Sequence, residues 1–440
     1  MTIDYGRLRI EGVYKQTDDG HLMMRIKVPA GVLSSEQALI VGDIADRHAD
    51  GRVHLTTRGS LEIHWLQHRD LAEIHRRLAA VGLTSRGACG GAVRGIACST
   101  TFADGFSVAQ VLARKLHRHL AGNPHFEGLP KKFKISVDAG YQGSRHLIQD
   151  LGLVYAGSED GIDLYDLWTA GGLGREPIEA FLFERSVPEP RILPTIEAVV
   201  RIYRQHTPAG KRLKHLLQEI GEKKFRLLVA ERLEHAVDLP LGDAFEKRLT
   251  PLPVAGGGRA RIEAVVFAGE LTSPALRELA AVASDHAGGF MAITADQNIA
   301  FLLENDDPSA AAAALAAAGF SGATVEEQVA FRICPGNHEC RMGLAPTRDV
   351  ARAIAGTLDE RGRGLDWAIS GCPNSCAQPQ LAAVGIIAVK SLKDASGARH
   401  PLFDLYRRQE AGFGRLLRRG LNLTELLQAV TDLQRGEVRG

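Results

Sequence analysis

The chain has 440 residues, 45% of them apolar, with 53 lysines and arginines against 52 acidic residues and a formal net charge of +1. That is more than one core usually holds, since single cores rarely grow past roughly 250–300 residues, so two or three cores are expected. A balanced charge gives no reason to expect nucleic acid or an anionic membrane surface as partner, so functional charge must be local. The opening MTIDYGRLRIEG lacks the apolar run of a secretory signal, and Ala310 to Phe320 falls short of the ~20 residues of a membrane span. The expectation is a cytoplasmic protein, in which six cysteines point to metal or redox work rather than to a disulfide scaffold.

In chain order, Arg25 to Gly82 reads as strand, glycine turn, capped helix, β-branched strand, further strand and closing helix, and the same order returns from about Arg261 to Gly319. Gly31 to Thr56 and Gly269 to Thr294 are both steps of 25 residues. Ser34 or Ser35 and Thr272 or Ser273 are the N-cap candidates. Strands and helices alternating at this length predict α+β half-domains of ferredoxin-like type.

The repeat continues: Gly82 precedes Cys98 by 16 residues and Gly319 precedes Cys334 by 15, and the strand-like runs LPKKFKISVDAG and LDWAISGCPNSC follow. The chain therefore reads as a duplicated unit whose first copy carries cations where the second carries cysteines. Pseudo-twofold packing of such copies creates a cleft where both sets meet. Pro188, Pro190 and Pro194 mark an irregular stretch. Lys211 to Ala236 has helical spacing with Leu213, Leu216, Leu217 and Ile220 on one face and its Lys/Arg run as the solvated face. Pro251 to Arg259 reads as a linker between halves.

Cys334 and Cys340 lie in CPGNHEC, and Cys372 and Cys376 in GCPNSC. Two close pairs from distant segments can ligate one metal centre. Structural zinc favours tighter gaps on knuckle turns, and the wider gaps with Pro373 after the third cysteine fit a four-iron cluster better. A spacing of four puts Cys372 and Cys376 on adjacent turns of a helix or helix-like loop. Zinc, or two buried cysteine pairs without metal, are the alternatives. Cys89 and Cys98 are too few for a second cluster and read as buried structural residues.

The cations form a second constellation. Arg25 and Lys27 alternate on a strand and share one face, and Lys132 and Lys134 do the same around Phe133. Arg58 ends the strand of VHLTTR, and Arg94 sits in VRGIACS. Singly, each reads as an exposed strand residue. Together they converge on one cleft opposite the cysteines, and such crowding needs anions to offset it. A polycarboxylate cofactor with an anionic substrate would meet that need.

LTTRGSLEIHW, VRGIAC, LPKKFK, PAGKRLKHLLQEIGEKKFRLLV and GCPNSCAQP, in this order over nearly the whole chain, resemble the siroheme-dependent sulfite and nitrite reductases. The resemblance implies a pseudo-twofold α+β architecture of two ferredoxin-like half-domains (1–83 and 251–325) and two siroheme/4Fe-4S α/β domains (84–250 and 326–440). It implies siroheme and a [4Fe-4S] cluster as cofactors. Cys334, Cys340, Cys372 and Cys376 match the cluster ligands, and the sulfur of Cys376 matches the axial ligand shared with siroheme. Arg25, Arg94, Lys132 and Lys134 match the cations that bind the oxyanion and help deliver protons. Arg58 matches a ligand of a siroheme carboxylate, and Asn374 a cofactor contact. Gly59 departs from the glutamine that often follows this arginine.

Within the family, Lys134 points to sulfite, reduced to sulfide by six electrons, because a doubly charged anion gains more from an extra cation. Nitrite reduction to ammonia by the same site is the alternative. Tetrapyrrole oxidation of the precorrin-3B synthase kind is a second one, and a structural metal protein a third. The chain shows neither a dinucleotide fingerprint nor a flavin domain, so electrons are expected from an external donor, ferredoxin or a reductase subunit.

Overall fold

The computed structural model describes residues 3–99, 105–234, 260–395, 397 and 399–435. The expected linker, Pro251 to Arg259, lies outside the described residues.

The two ferredoxin-like halves exchange an edge strand. One antiparallel sheet runs Val13–Lys15, Leu22–Ile26, Leu61–Leu66, Arg52–Leu55 and then Glu270–Thr272 from the second half. The other runs Arg261–Ala264, Ile299–Leu302, Phe290–Ile293 and then Val32–Ser34 from the first. Each crossing passes through a matched single turn, Pro29–Gly31 and Phe267–Gly269. There Ala30 and Ala268 hold φ of 54° and 58°, a left-handed conformation that costs a residue with a Cβ and persists only where its surroundings enforce it.

The helices that follow, Ser35–His48 and Ser273–His286, are capped by the hydroxyls of Ser34 and Thr272, one candidate from each expected pair. The crossing strands and helices fuse the two halves around one apolar core that includes Val41 and Ile44 from the first and Leu276 and Leu279 from the second.

Two five-stranded α/β sheets flank this unit with the same topology. The first has the order Phe181–Pro188, Ile162–Thr169, Leu151–Glu159, Ile135–Asp138, Ala97–Cys98. The second runs Arg415–Leu421, Arg399–Arg407, Val384–Lys393, Asp366–Ser370, Ala330–Ile333. In both, the last three strands are parallel and the others antiparallel. Each sheet has its own large core, so three main cores fill the molecule.

Three sequence expectations change. Pro188 ends a strand, and Pro190 and Pro194 lie inside the helix Glu189–His206 rather than in an irregular stretch. Pro190 occupies the first turn, where no donor is needed, and Pro194 removes one helical bond that the burial of Ile192, Ile196 and Val199 outweighs. The expected helix from Lys211 divides at Gly221 (φ 77°) into Leu213–Ile220 and Glu222–Glu234. Its leucine face is inward as expected, but Arg212 and Lys214 are both only 3% exposed and belong to no solvated face.

Candidate active site

A cavity of about 690 Å3 is lined by ten of the residues singled out in the sequence: Arg25, Arg58, Arg94, Lys132, Lys134, Cys334, Cys340, Cys372, Asn374 and Cys376. Lys27, expected to share the face of Arg25, is instead buried off this wall, its ammonium donating to the carbonyl of Val93 at 3.1 Å. It draws on the ferredoxin-like unit and both α/β domains, and the duplication makes this meeting possible. Lys132 and Lys134 lie just before the strand Ile135–Asp138, whereas Cys334 follows the strand Ala330–Ile333 and Cys372 follows Asp366–Ser370. The first sheet thus offers the N-terminal ends of its strands and the second sheet the C-terminal ends.

The cysteine wall is made of turns, not the expected helix-like segment: Ser375 has φ 56° and Gln378 φ 60°. The first copy holds this loop in place. Thr57 Oγ1 donates to the carbonyl of Cys376 at 2.9 Å, and Gln378 Nε2 donates to the carbonyl of Thr57 at 3.2 Å. Gly371 lets the two cysteine segments close up, since a Cβ there would lie 2.8 Å from Gly336 Cα.

All four thiols are free. The amide of Gly371 donates to Cys334 Sγ at 3.1 Å, and the amides of Met342 and Asn374 donate to Cys340 and Cys372. Burial, and then the charge of neighbouring cysteines, pushes the Cys334, Cys340 and Cys372 thiols up. Four sulfur donors converging on one cavity, with amides aimed at them, fit an iron–sulfur centre whose positive charge offsets their repulsion.

The opposite wall is cationic. Arg25 Nε and Nη2 donate to Glu62 Oε1 at 2.8 and 2.5 Å, and its Nη1 to the carbonyl of Ala88 at 3.3 Å. Arg94 is held by backbone carbonyls alone, Gly90 at 2.9 Å and Gly87 and Ala92 at 3.3 Å. Arg58 sits past the end of its strand, which stops at Leu55, and donates to Gln149 Oε1 at 2.7 Å and to the carbonyls of Gly95 and Ile135. Burial and then Arg94 lower the Arg58 guanidinium to about 9.

Lys132 and Lys134 differ from the arginines: neither ammonium has a hydrogen-bond or ion-pair partner among the described residues. Burial lowers Lys132 to about 8 and, with Arg58 adding, takes Lys134 well below the usual lysine range. Phe133 between them is fully buried, an anchor of about 2–3 kcal/mol that keeps both lysines on the cavity side. The cavity wall also holds buried polar atoms with no hydrogen-bond partner, Gln16 Nε2 and His64 Nδ1, while His64 Nε2 stands 3.6 Å from Glu62 Oε2. Unpaired cations and orphaned polar atoms are what a bound polycarboxylate would satisfy, so these residues fit a siroheme.

Gly59 adopts φ 64°, and a Cβ there would stand 3.0 Å from Gly31 Cα. A glutamine at this position would need that contact to open. The matching position of the second copy does hold a glutamine, Gln297, which donates to the carbonyl of Leu55 at 2.9 Å and accepts from the amide of Ile333 at 2.7 Å.

Other site residues were not singled out in the sequence. Asp150, 0% exposed, accepts from Arg212 Nη2 and from the amide of Lys134, both at 2.8 Å, and so ties the lysine segment to the helical segment beyond it. Arg212 stood in the quoted PAGKRLK run, but a lone aspartate carried no signal. His54, Glu270 and Glu339 bring possible ligand atoms within 4.8 Å of one another. Arg348 already neutralises both carboxylates, at 2.8 Å from Glu270 and in contact with Glu339, so this group is a closed ionic cluster beside Cys340.

Comparison with known proteins matches residues 90–237 to the nitrite and sulphite reductase 4Fe-4S domain. Residues 14–81 and 256–318 match the nitrite/sulfite reductase ferredoxin-like half domain. The first match covers the cation-bearing copy, and the four clustered cysteines lie beyond it. A ferredoxin–nitrite reductase of Synechococcus elongatus is 30% identical over 422 residues, 88% of this chain and 80% of that protein. Sulfite reductase [ferredoxin] 2 of Mycolicibacterium paratuberculosis is 28% identical over 460 residues, 94% of this chain and 81% of the relative. The solved structure of the Mycobacterium tuberculosis NirA protein superposes with a TM-score of 0.82 at 24% identity, covering 98% of this chain and 86% of that one, and shows the same fold. Among the described residues no helix is long and apolar enough to cross a membrane.

Proposed function

Because the chain belongs to the nitrite and sulphite reductase family and is an oxidoreductase of small nitrogen or sulfur oxyanions, we propose that it reduces nitrite to ammonia by six electrons at a siroheme coupled to a four-iron cluster. The observation that carries this reading is the meeting in one cavity of four free thiols with Arg25, Arg58, Arg94, Lys132 and Lys134. The relative from Synechococcus elongatus supports nitrite as the substrate. Lys134 supports a second reading, sulfite to sulfide, for the electrostatic reason given above.

In this proposal Cys334, Cys340, Cys372 and Cys376 hold the cluster, with Cys376 also facing the siroheme. Arg58 and Asn374 contact the siroheme. When bound, the two cofactors supply the electrons and the iron at which the oxyanion is reduced. The protein supplies charge and protons. Arg25 and Arg94, locked by their own acceptors, form a fixed positive wall that orients the anion. Lys132 and Lys134, with all their donors free, reach its oxygens and pass protons to them as N–O or S–O bonds weaken. A lysine whose proton is loosened by burial is suited to that transfer. No donor domain is evident in the described residues, and an external donor such as ferredoxin, in a cytoplasmic setting, completes the proposal.

The visible spectrum of the purified protein tests it. Siroheme bands that shift on adding nitrite or sulfite after anaerobic reduction are expected. A colourless, zinc-loaded protein would overturn the reading, and an iron–sulfur spectrum without siroheme would favour tetrapyrrole oxidation instead.

A further inference from the structure

The cavity's cationic wall contains a carboxylate that anion binding does not call for. Glu62 is 7% exposed, lies on the strand beside that of Arg25, and faces the same cavity as Lys132, Lys134 and Arg94. Its Oε1 accepts from two nitrogens of Arg25. The other carboxylate on the cavity wall, Glu339, is spoken for by Arg348. Burial on its own would raise the Glu62 carboxyl, but Arg25 and His64 hold it well below the ordinary carboxylate range, so its negative charge is permanent.

A neutral glutamine could accept the same hydrogen bonds and position Arg25 equally well. What glutamate adds is a full negative charge, and burying that charge costs desolvation. Inside a cavity meant to attract anions, such a charge weakens binding in proportion to the charge of the anion. A unit charge acting over ~10 Å at an effective dielectric of ~20 changes an equilibrium by roughly tenfold for each charge on the ligand.

We infer that Glu62 is a specificity-determining residue: by cancelling Arg25 it lowers the cavity's positive charge by one and favours a singly charged oxyanion such as nitrite over a doubly charged one such as sulfite. The inference rests on the proposed oxyanion reductase reading and gives it a substrate order. Glu62 touches Arg25 and acts through it, so its role is one of positioning and charge.

The test is calorimetric binding of nitrite and of sulfite to the oxidised holoenzyme, at a mildly alkaline pH where sulfite is mainly the dianion, for the wild type and for Glu62→Gln. Both anions should bind the variant more tightly, and the ratio of sulfite to nitrite affinity should rise roughly tenfold. The ratio of kcat/KM values should move the same way. A ratio unchanged within twofold, with or without a change in Tm, overturns the inference and leaves Glu62 a structural partner of Arg25. If Glu62→Gln does not accumulate as folded protein, Glu62→Asp keeps the charge but draws it back from the cavity by one methylene. It should move the ratio upward by about 1.5-fold, and a ratio equal to that of the wild type within the error of replicate titrations would again overturn the idea. A wild type that neither binds nor reduces either anion refutes the reductase reading itself, a result distinct from an unmoved ratio.

Discussion

The two α/β sheets share one topology and serve the cavity from opposite ends. Aligning them by their parallel registers, in which Ile135 pairs with Leu151 and Trp367 with Val384, makes Lys134 the counterpart of Asp366. The repeat likewise makes Arg58 the counterpart of Asp296, each lying two residues after the threonine that ends the matched 25-residue step. A second cavity of about 630 Å3 stands where the pseudo-twofold axis carries the first, lined by Ser99 and Arg145 from the C-terminal side of the first sheet, by Arg332 and Asp366 from the second, and by Asp296 from the second ferredoxin-like half. There the two acids are neutralised by Arg332, at 2.8 Å from Asp296 and 3.1 Å from Asp366. The same backbone thus builds two related cavities, one with unpaired lysines and cysteines and one with paired charges. Architecture supplies the place, and the residues at strand ends decide whether it attracts a ligand.

The comparison can be broken most severely at the cysteine wall. If, as proposed, the sulfur of Cys376 serves both cofactors, Cys376→Ser should lower turnover by about 100-fold and disturb both the cluster and the siroheme spectrum. Iron and labile-sulfide analysis with the visible spectrum checks this, and an unchanged siroheme band would contradict the bridging role. Next comes the buried Asp150–Arg212 ion pair of the first copy. Asp150→Ala leaves Arg212 charged and unpaired, which should cost about 3–5 kcal/mol in denaturant unfolding. It should also release the lysine segment that Asp150 holds through the amide of Lys134.

Paired variants at matched positions sharpen the contrast further. Lys134→Asn should lower kcat/KM by about tenfold for sulfite and less for nitrite; equal losses would remove the electrostatic argument. Asp366→Asn, at the image position, should keep turnover within about twofold and cost at most ~1 kcal/mol of stability, since its ion pair is partly exposed. A tenfold loss there would mean the second cavity is coupled to the reaction. The smallest effect is expected at a cap: Thr272→Ala should cost ~1 kcal/mol in thermal unfolding and leave the spectrum untouched.

The sequence by itself determined a good deal. Its period exposed the duplication, its hydroxyls marked the helix starts at Ser34 and Thr272, and its cysteine spacing and alternating lysines named the residues that line the first cavity. These signals are local, set by periodicity, capping and the alternation of a strand, and therefore legible in one dimension. Where local rules misled, burial prevailed: Pro194 sits in a helix because its apolar neighbours are buried, and Arg212 is buried because Asp150 waits for it.

Tertiary structure alone decided the rest. The exchange of edge strands fuses two half-domains into one core, and no pattern within either half specifies its partner. The choice of opposite strand ends brings lysines and cysteines to one cavity. The charge state of that cavity depends on Glu62 and Arg25, residues 37 positions apart. A buried charge takes its meaning from what surrounds it in space, and that is fixed only when distant segments pack.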